Sequence, residues 1–559
     1  MKQDLKNPSR QNRDTVLAAL DRAVKAWGPL TWIQLGEDAY SFDYVDRESA
    51  ELAYGLATLG VKPGDTVVTF LDTSIDPILC WLAINKLGGI WVPVNTAYSG
   101  EFLRHQVADS KAAIVIAESH YVERLEAITA SLPDLRTVVS RGEAVASDKL
   151  ELISLEACRH NGVLRPLVQP DPADICCIVY TSGTTGPSKG CMLSHNYMCN
   201  LAGKTNDAVP LAPGEGVWSC LPLFHVGGSG YFLLAAMLAG NRACVAPRFS
   251  VTGFWDDIER TGAVHALIIA SMFPLLAQAP ETLAMKRCFG QLRAVTGIPC
   301  SERLRKIWNE RFGVQQINSF IYGQTEASPI TRQRRGAPLP PEGSLGTVAD
   351  EYELKIFSDN DTPVAVGELG EIVIRPRFPD VMFSGYWRRP EETVKVWRNL
   401  WMHTGDIGKL DEAGNLYFVD RKKDYLRSRG ENISSFEVEN VIGAHPDISE
   451  VAVHSVPGEP GEEEHIKFTI VLMEGAALTE EGLWTWSAER LPHFATPRFI
   501  EFRPSLPKTP TGKVQKFQLR NDKPVGSVWD AIAAGYSLRK SSAQKKQVVR
   551  SNSLIAEVP

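Results

Sequence analysis

Apolar positions in the first part of the chain alternate between a helical spacing and short unbroken runs. Val45, Leu52, Leu56 and Leu59 recur three, four or seven residues apart, which predicts an amphipathic helix over 45–59. The same alternation predicts a helix over 77–87 and strands over 67–71, 90–94, 173–180 and 266–270. Short strands separated by helices are typical of an α/β layer with a largely parallel sheet. A large N-terminal α/β domain is therefore predicted.

The pattern changes near residue 420. A charge cluster, Asp-Arg-Lys-Lys-Asp at 420–424, is poor for a core and predicts a linker. Beyond it, smaller elements are predicted: helices over 436–442 and 479–491, and strands over 451–456, 466–472 and 499–502. These would form a compact α+β domain of about 110 residues. We expect an N-terminal domain over 1–421, a smaller C-terminal domain over 422–540, and a polar, disordered tail over 541–559.

Composition narrows the class of protein. The chain is 44% hydrophobic and 22% charged, with a net charge of −7 that is spread along its length, so a nucleic-acid partner is not expected. The ten cysteines contain no C-x-x-C pair, which argues against a zinc or redox motif and suits a reducing compartment. The longest apolar stretch, 231–239, is far short of the roughly 20 residues that span a bilayer. A cytoplasmic, bacterial-type enzyme without a membrane span is expected.

The most informative segment runs from residue 180 to residue 190 and reads Y-T-S-G-T-T-G-P-S-K-G. Its three glycines allow a tight turn and a close backbone approach to a ligand, and its hydroxyls and backbone N–H groups can donate to phosphate oxygens. Lys189 adds a positive charge. A flexible surface turn would have a similar composition, but it would not need this clustering of hydroxyls with a lysine. A Walker A loop is excluded, because Met198 stands where Gly203-Lys204-Thr205 would need its first glycine.

This segment resembles the signature phosphate loop of the adenylate-forming superfamily, which includes acyl-CoA synthetases, adenylation domains of peptide synthetases and luciferases. Further segments follow in that family's order: 322–326 resembles its Y-G-x-T-E motif, 401–406 its W-x-x-T-G-D motif, 420–424 with 429–433 its hinge and following loop, and 507–513 its P-K-T-x-x-G-K motif. The resemblance covers roughly residues 38 to 520. It implies an acyl-CoA synthetase-like fold with a large N-terminal α/β domain and a smaller, mobile α+β C-terminal domain.

The resemblance also implies a role for each motif residue. Lys513, Thr185 and Glu326 would be catalytic, with Lys513 bridging the substrate carboxylate and the ATP phosphate and Glu326 binding Mg²⁺. The nucleotide would be held by Thr181, Ser182, Gly183, Thr184, Thr185, Gly186, Lys189, Tyr322, Gly323, Gln324, Thr325, Asp406, Arg421 and Lys513. Among these, Tyr322 would stack on adenine, and Asp406 and Arg421 would contact ribose. Gly430 would approach the thiol substrate, and Lys423 would be the hinge. Each motif alone has a plainer interpretation, such as a glycine turn, a capping aspartate, a solvated charge run or a surface lysine; the shared order favours the family.

The implied reaction has two steps and uses ATP, Mg²⁺ and coenzyme A. A carboxylate attacks the α-phosphorus of ATP, which gives an acyl-adenylate and pyrophosphate; a thiol then takes the acyl group and AMP leaves. Lys189 and Lys513 would screen the two anions that meet in the first step. The smaller domain would rotate about the hinge between the two steps.

The residues expected around the acyl group are His225, Gly297, Ile298 and Phe320. Peptide-synthetase adenylation domains usually carry an aspartate where His225 stands, and that aspartate pairs with the α-amino group of the substrate. An α-amino acid substrate is therefore not expected. The mostly small or apolar set predicts an apolar carboxylic acid, and the stretches at 429–432 and 497–499 resemble carnitine/crotonobetaine-type and fatty- or steroid-acid CoA ligases. Two alternatives remain: a luciferase-like oxygenase on the same fold, and a non-catalytic adenylate-binding regulator. The oligomeric state and the pathway stay open.

Overall fold

The structure is a computed structural model. It describes residues 13–160, 168–181, 188–298, 300–333, 338–422, 426–428, 431–433, 435–456, 464–491, 495–508, 512, 514–522 and 527–536. The chain forms two compact units, and the division falls between Val419 and Asp420, two residues before the predicted boundary. The predicted tail at 541–559 lies outside the described residues.

The larger unit is built from short strands and helices in alternation. Its strands are β1 (Thr31–Leu35), β2 (Asp38–Ser41), β3 (Thr66–Phe70), β4 (Ile90–Pro93), β5 (Ile114–Glu118), β6 (Thr137–Arg141), β7 (Glu151–Ser154), β8 (Ile175–Thr181), β9 (Lys189–Ser194), β10 (Gly216–Ser219), β11 (Arg242–Val245), β12 (Ala263–Leu267), β13 (Ala294–Thr296), β14 (Gln316–Asn318), β15 (Ile321–Gln324), β16 (Ala327–Arg332), β17 (Thr347–Val348), β18 (Tyr352–Phe357), β19 (Gly370–Pro376), β20 (Trp397–Arg398), β21 (Trp401–Leu410) and β22 (Leu416–Arg421). Its helices are α1 (Val16–Trp27), α2 (Phe42–Thr58), α3 (Asp76–Lys86), α4 (Gly100–Ser110), α5 (Val122–Glu126), α6 (Leu155–His160), α7 (His195–Ala208), α8 (Ala235–Ala239), α9 (Phe254–Thr261), α10 (Met272–Gln278), α11 (Leu283–Arg287), α12 (Glu302–Phe312) and α13 (Pro390–Val396), with a π-helix at Gly227–Leu234.

Two seven-stranded sheets dominate this unit. One has the order β14-β13-β12-β10-β11-β1-β2 and the other β7-β6-β5-β3-β4-β8-β9. Pairing is parallel throughout except at the edges, where β2 and β9 run antiparallel to β1 and β8. The strands β3 and β5 are buried along their whole length, as expected for parallel strands covered on both faces. The predicted α/β layer with a largely parallel sheet is confirmed.

Smaller antiparallel sheets complete the larger unit. The strands β15, β16 and β17 form one sheet, and β18, β19, β21 and β20 form another, to which β22 pairs through β21. These strands follow the parallel sheets in the chain, and they carry the motifs at 322–326 and 401–406.

The smaller unit has its own sheet, with strand order β25 (Ile448–Val456), β26 (His465–Leu472), β27 (Phe499–Phe502) and β28 (Trp529–Asp530), together with the hairpin β23 (Leu426–Ser428) and β24 (Glu431–Ile433). Its helices are α14 (Ser435–Ile442), α15 (Glu480–Ala488) and α16 (Lys516–Asn521). The pairing mixes directions, since β26 is antiparallel to β25 and parallel to β27. The predicted α+β class is confirmed; helix 479–491 ends earlier than predicted, at Ala488.

The charge cluster at residue 420 is not simply a solvated linker. Asp420 is 3% exposed, and its Oδ2 accepts hydrogen bonds from the backbone N (2.6 Å) and the Oγ (2.7 Å) of Ser435. An ionised carboxylate at the start of a helix satisfies donors that the helix itself leaves free and suits the positive end of its dipole. Asp420 therefore holds the start of α14. Lys423 lies outside the described residues.

No helix in the described part of the chain is both long and apolar enough to cross a membrane.

Buried histidines should make the fold acid-sensitive. His265, on β12, is 2% exposed and bonds through Nε2 to Thr296 Oγ1 at 2.9 Å, and burial lowers its pKa to about 3. The folded chain therefore keeps this imidazole neutral while the unfolded chain takes up a proton below about pH 6.5, so its contribution to stability is present above that pH and is lost as the pH falls. We expect His265→Gln to reduce the fall in unfolding free energy between pH 6.5 and 4 by roughly 1.4 kcal/mol per pH unit. Urea titrations at several pH values measure this; an unchanged slope would contradict it.

Candidate active site

The phosphate loop connects two paired strands. Thr181 ends β8 and Lys189 begins β9, and the two residues are register partners in an antiparallel pair. The residues between them, including the predicted phosphate ligands Ser182, Gly183, Thr184, Thr185 and Gly186, lie outside the described part, so their roles stay predictions. The described ends fit the predicted strand-turn arrangement, because the chain must reverse direction between 181 and 189.

Helix α4 contacts both ends of this loop. After the loop, His105 Nε2 lies 2.8 Å from the carbonyl oxygen of Ser188, and Gln106 Nε2 donates to Ser188 Oγ at 3.2 Å. Before the loop, the Tyr180 hydroxyl donates to Asp109 Oδ2 at 2.9 Å. The sequence reasoning missed these helix residues, since nothing in the local pattern of α4 marks them as partners of a loop some eighty residues away.

Two predicted nucleotide motifs meet at one buried carboxylate. Asp406, in β21, is 5% exposed, and its Oδ2 accepts hydrogen bonds from the Tyr322 hydroxyl at 2.6 Å and from Gln324 Nε2 at 3.0 Å. The same Gln324 amide also donates to the backbone oxygen of Thr404 at 2.8 Å. The structure thus brings 322–326 and 401–406 together although they are far apart in sequence. The Asp406 carboxylate thus bonds to side chains of the other motif, and its contact with ribose stays a prediction.

Glu326 is buried rather than exposed at a turn. It is 8% exposed, and its Oε1 accepts a hydrogen bond from the Tyr386 hydroxyl at 2.7 Å. Its backbone oxygen accepts from Phe383 N at 2.8 Å, and the neighbouring Thr325 carbonyl accepts from the Tyr197 hydroxyl at 3.0 Å. The sequence reasoning missed Tyr386 and Tyr197, which no periodicity or spacing singled out.

Gly323 is needed where it stands. A Cβ at this position would lie 2.3 Å from Ser328 Oγ and 3.1 Å from the Ala327 carbonyl oxygen. Its backbone lies at a bulge where β15 pairs with β16, so the close approach is set by the strand pairing. The glycine therefore allows Tyr322 and Glu326 to sit on one tight hairpin.

Lys189 is held by a carboxylate and an aromatic ring. Its Nζ lies 2.9 Å from Glu392 Oε2 and 4.8 Å from the centre of the Tyr386 ring. Hydrogen bonds from Lys395 and Lys189 lower the pKa of Glu392 to about 2. The ammonium group therefore stands close to the ring whose hydroxyl holds Glu326.

Glu326 fits a magnesium ion only if ATP supplies further ligands. A buried carboxylate is a suitable ligand for a hard cation that also binds phosphate oxygens. Among the described residues, however, no cluster of three or more histidine, cysteine, aspartate or glutamate side chains could hold a metal unaided. Glu326 would thus contribute one oxygen ligand, and the nucleotide and water the others.

The remaining predicted nucleotide and coenzyme residues are only partly described. Arg421 is the last residue of β22, and its contact with ribose stays a prediction. Gly430 and Lys513 lie outside the described residues. The excluded Gly-Lys-Thr segment at 203–205 lies within helix α7, where Lys204 forms an ion pair with Glu351, as expected if it is not a phosphate loop.

The predicted acyl-site residues lie at strand ends and at the start of the π-helix. Gly297 is buried just beyond β13, where a Cβ would lie 2.7 Å from the Ile268 carbonyl oxygen, and its N–H donates at 3.1 Å to the carbonyl of Asn318, the last residue of the neighbouring strand. Phe320 is buried beneath the Arg305 guanidinium, 4.5 Å from its ring centre, whereas Ile298 is 37% exposed. The His225 Nδ1 accepts the Gly227 N–H at 3.0 Å, so this side chain organises the entry to the π-helix.

A cavity adjoins these strand ends. Its volume is about 20 Å³, room for about one water molecule. Apolar Ile321 and Pro329 line it together with polar and charged residues, among them Tyr231, Thr296, Asn318, Lys204 and Arg332. Tyr231 belongs to the π-helix, and Thr296 and Asn318 end β13 and β14. The cavity therefore reaches the neighbourhood of Gly297.

Comparison with known protein families agrees with this geometry. The family model described as AMP-binding enzyme matches residues 20–387, and the model described as AMP-binding enzyme C-terminal domain matches residues 437–513. The chain belongs to the AMP-binding enzyme family. The first match includes the phosphate loop, the motif at 322–326 and Tyr386. It ends before the motif at 401–406.

Relatives of this AMP-binding enzyme are named as CoA ligases. The chain is 30% identical over 519 residues to the long-chain-fatty-acid–CoA ligase of Escherichia coli O157:H7, covering 88% of this chain and 91% of that protein. It is also 30% identical over 489 residues to the crotonobetaine/carnitine–CoA ligase of Salmonella heidelberg strain SL476, covering 86% and 93%. Among solved structures, the anthranilate CoA ligase AuaEII in complex with anthranoyl-AMP is similar with a TM-score of 0.80 and 25% identity, covering 92% of this chain and 98% of that one. ATP-bound MatB from Rhodopseudomonas palustris, at 24% identity, a TM-score of 0.78 and coverage of 91% and 99%, shares the fold.

Proposed function

We propose that this AMP-binding enzyme is an ATP-dependent carboxylic acid–CoA ligase. It forms an acyl-adenylate with release of pyrophosphate and then transfers the acyl group to coenzyme A with release of AMP. The observation that carries the proposal is the buried Asp406 carboxylate, bonded to both Tyr322 and Gln324, because it unites the two motifs that the resemblance assigns to adenine and ribose. Relatives at 30% identity bear CoA-ligase names, which favours a ligase over a luciferase-like oxygenase.

In the first step the protein must let two anions meet. Asp406 accepts hydrogen bonds from the ribose hydroxyls, and the ring of Tyr322 stacks on adenine. Lys189 leaves Glu392 and binds the phosphates of ATP. Lys513 lies between the substrate carboxylate and the α-phosphate and contacts both. Glu326, together with the phosphates of the nucleotide, would hold a magnesium ion, which would supply further positive charge for the transition state. The carboxylates and tyrosines thus bind and orient the nucleotide, and the lysines lower the activation barrier of adenylate formation.

In the second step coenzyme A supplies the thiol that attacks the acyl carbonyl. We assign Gly430 as a backbone contact for the thiol substrate and Lys423 as the hinge on the family resemblance. A buried Asp420 holding the start of α14 supports a hinge at this position, since it anchors the chain immediately after the division between the units.

The substrate that we propose is an apolar carboxylic acid. His225 is an imidazole that is already bonded to the Gly227 N–H, not a carboxylate that could pair with an α-amino group. Gly297 and Phe320, two of the predicted acyl-site residues, are buried and small or apolar, which suits an apolar group beside them. The ten free thiols support a cytoplasmic location.

Pyrophosphate release from ATP tests the proposal. The protein is mixed with ATP, Mg²⁺ and single acids: saturated fatty acids of increasing length, crotonobetaine, anthranilate and phenylalanine. We expect release with apolar acids and none with phenylalanine, and a thioester only after coenzyme A is added. Release without any thioester, accompanied by consumption of oxygen, would favour the oxygenase, and no release with any acid would favour the non-catalytic regulator.

A further inference from the structure

The segment that follows Phe383 is bound to the first strand after the phosphate loop. It is held along β9 by three backbone hydrogen bonds: Ser384 N to Met192 O (2.8 Å), Met192 N to Gly385 O (3.0 Å) and Trp387 N to Gly190 O (2.8 Å). These bonds place Tyr386 opposite Cys191, with which it forms an antiparallel bridge. The position of the Tyr386 backbone is therefore determined by the same strand that begins with Lys189.

The Tyr386 side chain touches two groups of the proposed site at once. Its hydroxyl donates to Glu326 Oε1 at 2.7 Å, and its ring faces the Lys189 ammonium at 4.8 Å. Both Tyr386 and Glu326 are buried. A hydrogen bond to a charged acceptor is strong, and the negative face of an aromatic ring attracts a cation. One side chain thus contacts the carboxylate proposed for the metal and the lysine proposed for the phosphates.

The hydrogen bond has a defined direction. A phenol hydroxyl is a donor and an ionised carboxylate is an acceptor, so Tyr386 donates and Glu326 accepts. The bond therefore fixes one oxygen of the Glu326 carboxylate.

We propose that Tyr386 is a positioning residue: its hydroxyl orients the Glu326 carboxylate toward the magnesium ion, and its ring holds the Lys189 ammonium beside it. This inference rests on the proposed function. The terminal torsion of a glutamate has broad, shallow minima, so an unheld carboxylate samples many orientations. Magnesium demands near-ideal octahedral geometry, and partners of metal ligands typically contribute a factor of 10 to 100 in metal affinity. Tyr386 therefore acts through Glu326 rather than on the substrate.

Tyr386→Phe isolates the hydroxyl, because it keeps the ring beneath Lys189. The measurement is equilibrium binding of ATP by calorimetry at increasing Mg²⁺, with unfolding temperature recorded in parallel. We expect the half-saturating Mg²⁺ concentration to rise roughly 10-fold or more, while binding of ATP without Mg²⁺ stays at the wild-type level. Tyr386→Leu, which also removes the ring, should in addition weaken ATP binding without Mg²⁺.

Tyr352→Phe is the matched control. Tyr352 is another buried tyrosine of the larger unit, and its hydroxyl donates to the carbonyl of Val381 at 2.6 Å. Loss of this hydrogen bond should lower the unfolding temperature of the protein without changing how ATP binding depends on the Mg²⁺ concentration. A Tyr386→Phe protein with wild-type Mg²⁺ dependence, alongside a Glu326→Gln protein whose dependence is altered, would overturn the inference and leave the proposed function intact. Failure of the wild-type protein to bind ATP would overturn both.

Discussion

Replacement of Lys513 by alanine is expected to lower the rate of adenylate formation by roughly 10²- to 10³-fold, the range seen when one preorganised transition-state donor is removed. The attacking carboxylate and the α-phosphate are both negative, and Lys513 is the residue proposed to lie between them. Formation of the thioester from acyl-AMP supplied ready-made should stay close to the wild-type rate, because that step needs no cation between two anions. Pyrophosphate release measures the first step, and thioester formation from synthetic acyl-AMP measures the second.

A surface lysine provides the control for this variant. Lys306, on α12, is 75% exposed at its side chain and lies 3.8 Å from Glu310, so Lys306→Ala should leave both rates near the wild-type values. Equal losses in the two half-reactions of Lys513→Ala would contradict the assigned role and indicate damage to a step that both share.

The second large effect is expected at Asp406. Asp406→Ala should raise the KM for ATP by roughly 100-fold or more, since two hydrogen bonds between a carboxylate and the ribose hydroxyls are lost and charged hydrogen bonds are each worth about 1.5–3 kcal/mol. Stability should also fall by about 1–3 kcal/mol, because the Tyr322 hydroxyl loses the carboxylate that accepts its bond at 2.6 Å. Steady-state kinetics with varied ATP and thermal unfolding measure the two effects.

Tyr322→Phe separates these two contributions. It removes the internal hydrogen bond to Asp406 but keeps the ring for stacking on adenine. We expect a loss of stability comparable to that of Asp406→Ala with a much smaller rise in KM. If the two variants raise KM equally, Asp406 serves to hold Tyr322 rather than to bind ribose.

Strand and helix patterns predicted six elements of the larger unit, each of which has a counterpart in the structure, and the deviations in their bounds have physical causes. The strand predicted over 266–270 is observed as Ala263–Leu267. Its first half contains His265, a polar residue that interrupts the apolar run. The Nε2 of this histidine lies in hydrogen-bond contact with Thr296 Oγ1 at 2.9 Å. A polar residue in a core strand is tolerated when a partner on the neighbouring strand satisfies it, and local pattern does not contain that partner.

The same limit applies to the charge cluster at 420. Five charged residues in succession predict a solvated segment, yet Asp420 is buried and bonded to Ser435 fifteen residues later. A buried carboxylate is stable only where donors converge on it, and convergence depends on how the chain folds back. Spacing along the sequence cannot reveal such a pair.

By itself, the sequence indicated phosphate binding at 180–190, because phosphate binding needs glycines, hydroxyls and cations in close succession and these lie within that one short segment. The reaction class followed from the resemblance of five motifs, in their shared order, to the adenylate-forming superfamily. It also determined the parallel sheets, whose unbroken apolar runs reflect burial on both faces. Only the tertiary structure decided which motif residues meet: Tyr322 with Asp406, and Tyr386 with Glu326 and Lys189. Those contacts arise from pairing between strands and loops that are distant in the chain, and such pairing is set by long-range packing rather than by local preference.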